Sequence, residues 1–319
     1  MKFFLTVVLL ACLLHAPAVS RPRSEEPLNL TAEEIAKLID ECGLQTTRMA
    51  NRLFEYTFNE TDTDRVFDKK LALKSEQSKV FEVFPIAIRR RVKFIFVQIS
   101  ENGVPLSAEK IAHQREQAAK QTIELEQKTE VTSPANSVYR PRFWSYGIKV
   151  EKRSGMSRTV WFIHATDFLL SHDFSAPRRI KNAGRDTIVL SFRPHPGYVY
   201  DRTNVPSPDG VEDFGRAMGQ LGGWIWIDEA DKVIVRLVAN PVRELNAPAT
   251  AFNQEPALLF EFERQPTGTW VPLTSRYYSY TREDVFWKTP ISRTLTYRDY
   301  KLFKTTADVE KTEPAPAKP

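Results

Sequence analysis

Cysteine is nearly missing from this chain: there are two, Cys12 and Cys42. Cys12 falls in an N-terminal run that reads as removable, which leaves Cys42 alone and takes away an intrachain disulfide as a source of stability. Histidine is scarce as well. The four beyond residue 20 (His113, His164, His172 and His195) form no HExxH and no paired ligand spacing, so a zinc site has no motif. There is no G-x-S-x-G elbow. Gly219-Gln220-Leu221-Gly222-Gly223 lacks the Lys-Ser/Thr of a phosphate loop and leads into a strand. Charge of one sign is also in short supply, with 45 basic residues against 40 acidic ones. The densest basic cluster, Arg89-Arg90-Arg91, runs into the apolar stretch 92–99 and reads as a solvated strand entry. Nucleic-acid binding would need a basic face and a recognised module, and neither is present. No catalytic constellation and no cofactor are expected. An enzyme would have to gather His164, Asp167 or His172 with a further carboxylate, whereas the plainer reading puts both histidines on the surface around a short helix.

What is present begins at the N-terminus. Lys2 gives a positive start, residues 3–14 are almost wholly apolar, and Ala16-Pro17-Ala18 and Ala18-Val19-Ser20 supply small residues for cleavage. The run is about a dozen residues long where a membrane span needs roughly 20. Residues 1–20 are therefore expected to be a cleaved signal peptide, leaving a periplasmic or secreted protein with no transmembrane span. Leu9-Leu10-Ala11-Cys12 has the outline of a lipidation box. However, Cys12 sits inside the apolar stretch with Leu13 and Leu14 still to come, so cleavage is preferred to a lipid anchor.

Residues 21–30 read as a polar leader. Thr31-Ala32-Glu33-Glu34 is a capping box, and Ile35, Leu38 and Ile39 follow on one helical face, a helix expected to end near Gly43. Cys42 packs on its apolar side. From Leu53 the period becomes two, in Phe54-Glu55-Tyr56-Thr57-Phe58, again around residues 80–84, and then in the more continuously apolar run 92–99. Ser107 opens a polar helix to about Lys128. Residues 129–142, with two prolines, are a candidate subdomain seam. The second half carries strand patterns at 185–193, 224–227, 233–238, 258–263, 270–280 and 294–303, a short helix at 211–221, and turns at Asn182-Ala183-Gly184, residues 228–232 and residues 265–268. Residues 306–319 are a disordered tail. Asn29-Leu30-Thr31 and Asn59-Glu60-Thr61 are formal glycosylation sequons, meaningful only in a eukaryotic host.

Around ten strands with three or four helices and no βαβ rhythm predict an α+β, mainly antiparallel fold. The expected form is one strongly curved sheet, a half-barrel, with helices over its concave side, built by residues 31–305 as one domain. Aromatics make up 11% of the chain and many fall on these strands. Packing is their default use. Phe94, Phe96, Trp224, Trp226, Phe260 and Trp270 are the candidate lining of an apolar cavity.

Several runs carry a resemblance. They are Ser191-Phe192-Arg193-Pro194-His195-Pro196-Gly197-Tyr198, Gly223-Trp224-Ile225-Trp226-Ile227-Asp228, Val233-Ile234-Val235-Arg236-Leu237, Phe81-Glu82-Val83-Phe84-Pro85, Asn102-Gly103-Val104-Pro105-Leu106-Ser107, and Tyr297-Arg298-Asp299-Tyr300-Lys301-Leu302-Phe303. Together they resemble a group of uncharacterised exported bacterial proteins, many of them acidobacterial. The hairpin at 224–237 is similar in outline to the periplasmic lipoprotein carrier and sensor superfamily of Lol-type proteins. That resemblance implies a curved antiparallel sheet closed by helices over a cavity for acyl chains, and it carries no catalytic residues. The long polar helix at 107–128 departs from a minimal carrier. The function expected is non-enzymatic binding or carriage of an apolar ligand, a lipid or the acyl part of a lipoprotein. The alternative is a structural or protein-interaction module of the envelope with a filled core.

Overall fold

A computed structural model describes residues 26–68, 72–88, 91–128, 145–150, 159–196, 219–242, 256–283 and 287–303. The expected signal peptide with Cys12, the start of the expected leader, the candidate seam at 129–142, residues 211–218 of the expected short helix and the expected tail lie outside them.

The first half holds β1 (Glu26–Pro27), α1 (Ala32–Arg52), β2 (Tyr56–Phe67), β3 (Leu73–Ile88), β4 (Arg91–Glu101), β5 (Val104–Pro105) and α2 (Ala108–Lys128). The second holds β6 (Ser145–Val150), β7 (Thr159–His164), α3 (Asp167–Ser171), β8 (His172–Asn182), β9 (Arg185–Pro194), β10 (Leu221–Asp228), β11 (Ile234–Pro241), β12 (Leu258–Arg264), β13 (Trp270–Glu283) and β14 (Trp287–Leu302). Twelve strands form one open sheet in the order β1-β8-β9-β10-β11-β12-β13-β14-β2-β3-β4-β5, while β6 and β7 pair with each other. Every pairing is antiparallel. Two meanders, β8–β14 and β2–β5, are thus joined where the last strand lies beside β2.

Helix α1 starts as its sequence dictates. The Thr31 hydroxyl accepts from the Glu34 amide at 3.2 Å and the Glu34 carboxylate from the Thr31 amide at 2.8 Å. It does not stop at Gly43 but continues nine residues to Arg52. A mid-helix glycine costs only about 1 kcal/mol, and the extra turns bury Thr46 and Ala50. Ser107 caps α2 as expected, accepting from the Lys110 amide at 3.3 Å.

The core lies on one face of the sheet, under α1. Leu38, Ile39, Cys42 and Ala50 of the helix cluster with Leu190, Phe192, Ile225, Leu237 and Phe260, all buried. Thr46 fixes the helix to the sheet by accepting the Ile234 amide at 3.1 Å. In β10, Gly223 is required by close approach, since a Cβ there would meet the Val238 carbonyl oxygen at 1.9 Å. Both sheet margins are guarded. On β8, the two residues of β1 pair with Arg178 and Arg179, beside a bulge where Ala176 has φ 51°. On β4, the Gln98 amide donates to the Gln114 side chain of α2 at 2.7 Å. Such devices block strand addition.

Candidate functional site

A single face of a sheet is usually of one polarity, because its side chains meet the same neighbour. Here the face that carries the core changes character across the strands. One hydrogen-bonded row runs Leu190, Ile225, Leu237, Phe260, Ser275, Leu295, Asp62, Lys79, Glu101. The next runs Phe192, Gly223, Ala239, Leu258, Tyr277, Arg293, Asp64, Gln77. Both are apolar over β9–β12; the first becomes charged at Asp62, Lys79 and Glu101 on β2, β3 and β4, and the second at Arg293 and Asp64 on β14 and β2. The charged end is hollow: a cavity of about 370 Å³ is lined by Asp62, Asp64, Gln77, Lys79, Phe81, Phe96 and Arg293.

Within it, Arg293 grips Asp62 with both nitrogens, Nε at 2.8 Å from Oδ1 and Nη2 on Oδ2. Asp62 is only 12% exposed, so this fork-to-fork pair is the firm part of the floor. Asp64 is different. Arg293 Nε is 3.7 Å from its Oδ1, and its side chain is 60% exposed. Burial raises its carboxyl above the ordinary range; Arg293 opposes this, the Asp62 charge adds to it, and Lys79 opposes it again. Among the described residues Lys79 reaches only Glu101, at 3.9 Å. Glu101 is otherwise held by the Gln77 amide at 3.0 Å.

Beside this floor the period-two alternation of β3 brings up Phe81 and then Val83, with Phe96 and Phe94 across on β4. Phe81 and Phe96 meet edge to face at 6.3 Å. Phe94 stacks on Phe54 at 4.9 Å and touches Phe58 edge-on at 5.9 Å. The site is therefore amphipathic, with two carboxylates and two cations at one end and an aromatic wall at the other.

The six candidate lining residues are not brought together. Phe96 lines the cavity, and Phe94 lies behind it. Phe260 is fully buried in the core. Trp270 is buried too, its indole N–H donating to Asp231 at 2.8 Å beneath the Arg185 guanidinium. Trp224 and Trp226 alternate with Ile225 and so face the other side of the sheet, where Arg236 lies 5.0 Å over Trp226. The signal for the polar floor was present in the alternation of Glu60, Asp62 and Asp64 with Thr61 and Thr63, which continues the face begun by Phe58.

His164 and His172 are buried, not on the surface around α3. Asp167 accepts the His164 amide at 2.7 Å, and His172 Nε2 donates to the Leu221 carbonyl at 3.0 Å while its Nδ1 meets Ser171 at 2.7 Å. These bonds tie α3 to β10. The Cys42 thiol is pushed up to about 12, first by burial, against the smaller opposing effects of Thr46 and Lys232. It is inert at neutral pH. Among the described residues no three His, Cys, Asp or Glu side chains gather as metal ligands, and no helix is long and apolar enough to cross a membrane.

No protein-family model matches the chain, and no curated protein matches it. Two solved structures are similar over most of its length. One is a DUF1329 family protein from Desulfovibrio piger, at 8% identity and TM-score 0.31, covering 83% of this chain and 92% of that one. The other is MucB in complex with MucA(peri), at 8% identity and TM-score 0.18, covering 84% of this chain and 96% of that one. At those scores neither likeness carries an argument about this chain.

Proposed function

We propose that this chain is an exported envelope protein that binds an amphiphile without transforming it. The observation that supports this is the change of polarity along one sheet face, ending in a cavity with a charged floor and an aromatic wall. An acyl chain laid on Phe81 and Phe96 leaves water at about 0.8 kcal/mol per CH₂, while the head stays among ionised groups. The lipid or lipoprotein acyl chain expected from the sequence fits this seat better than it fits the core under α1, which Phe260, Leu237 and Ile225 fill. In this reading residues 1–20 are removed after export, residues 21–30 lead into one domain over 31–305, and residues 306–319 trail from it. The sheet curves as a half-barrel about its helices.

The filled core favours a second reading, a protein-interaction module of the envelope. With the β8 and β4 margins guarded, such a module would use a face or α2 in place of strand addition. Native mass spectrometry of the gently purified mature chain separates the two. An adduct of lipid mass that disappears after organic extraction is the result expected. A bare mass, together with no displacement of a fluorescent fatty acid, sinks the amphiphile reading and leaves the module.

A further inference from the structure

Asp62 and Arg293 satisfy each other, so the groups that remain for a ligand are Asp64 and Lys79. Among the described residues each has a counter-charge only at a length beyond hydrogen bonding, 3.7 Å to Arg293 and 3.9 Å to Glu101 respectively. Each also keeps much of its side chain in solvent, 60% for Asp64 and 39% for Lys79. Because Asp62 is the direct cross-strand partner of Lys79, Asp64 and Lys79 form a diagonal pair, and diagonal neighbours on antiparallel strands stand about 7–8 Å apart. The lining is balanced, with Asp62 and Asp64 against Lys79 and Arg293. A head carrying net charge of either sign would upset that balance; one carrying both signs would not.

We infer that the cavity recognises a zwitterionic head group, its ammonium on Asp64 and its acidic oxygens on Lys79, with the apolar body running over Phe81 and Phe96. The direction follows from β3 itself, on which Lys79, Phe81 and Val83 succeed one another along the same face. The ammonium donates to the Asp64 carboxylate, and the acid group accepts from Lys79 Nζ. Both bonds are charge-assisted and are partly withdrawn from water by the aromatic wall. The inference rests on the amphiphile reading and adds the chemistry of the head.

Isothermal titration of the mature chain below micellar concentrations tests it with four probes. They are lauroyl-lysophosphatidylethanolamine, its phosphatidylglycerol counterpart, monolauroylglycerol, and free phosphoethanolamine without a chain. The zwitterionic lipid is expected to bind about tenfold or more tighter than the other two lipids. Asp64→Asn and Lys79→Gln are each expected to erase that preference while leaving the melting temperature in place. Equal binding of all three lipids overturns the head-group inference and keeps the amphiphile reading. Free phosphoethanolamine binding as well as the lipid overturns the amphiphile reading and the apolar half of the inference, leaving only the contacts to Asp64 and Lys79. Binding of none overturns both.

Discussion

At the scale of single residues, two positions carry more than their sequence context announces. Gly223 allows β10 and β11 to approach so closely that a methyl group would sit 1.9 Å from the Val238 carbonyl oxygen. Gly223→Ala is expected to cost about 3 kcal/mol, the upper range of overpacking, read as a lowered urea midpoint at unchanged slope. Asp228, 1% exposed, accepts two bonds from Arg185, at 2.5 and 2.8 Å, and the amides of Ala230 and Asp231 at 3.1 and 2.8 Å. Burial by itself would raise this carboxyl, but the Arg185 bonds and the two amides outweigh it and hold the group below its ordinary value. A carboxyl lowered by folding adds stability above its unfolded value, about pH 4, and loses it as pH falls through the folded value. Asp228→Asn is therefore expected to cost about 2 kcal/mol at neutral pH, the loss of hydrogen bonds to a charged group, since Arg185 keeps Asp231 at 3.0 Å. Chemical denaturation of the variant should also show a shallower fall in stability below about pH 4.

Among the elements, the capping box, the start of α1 and the β9, β10–β11 and β12–β13 strands were legible, because each rests on local chemistry: a side chain reaching its own helix end, or alternation between turns. The end of α1 was not, since Gly43 reads as a stop and only the tertiary burial of Thr46 and Ala50 overrides it. Strand β8 was hidden by Pro177, two arginines and a bulge. The floor of the cavity was hidden for a related reason: Asp62 and Asp64 look like a solvated strand until register places them in line with Phe260 and Leu258 respectively. A Cβ at Gly43 would meet Leu169 Cδ1 at 3.5 Å, an ordinary contact. Gly43→Ala is expected to stabilise the protein by about 0.8–1 kcal/mol, and Thr31→Ala to destabilise it by about 1 kcal/mol. Thermal melts followed by circular dichroism at 222 nm should move in opposite directions.

For the whole molecule, the decisive contact is between β14 and β2, where Thr57 bonds to Lys301, 244 residues on. Nothing in a local pattern announces such a pairing, and so many of the strands were readable while their order was not. Truncation after residue 286 removes β14, the strand that bridges the two meanders of the large sheet. The shortened chain is expected to lose its cooperative denaturation transition, while a variant cut after residue 305 keeps it. Long-range pairing of this kind also places refolding of the intact chain in the slow, milliseconds-to-seconds range or beyond, measurable by stopped-flow fluorescence. Vectorial synthesis then sets a waiting time. Ribosomes add about 5–20 residues per second, so β2 stands without its outer neighbour for on the order of ten seconds or more. During that interval its bare backbone is a sticky rim, and holding it apart from other nascent chains becomes a task for whatever escorts the polypeptide.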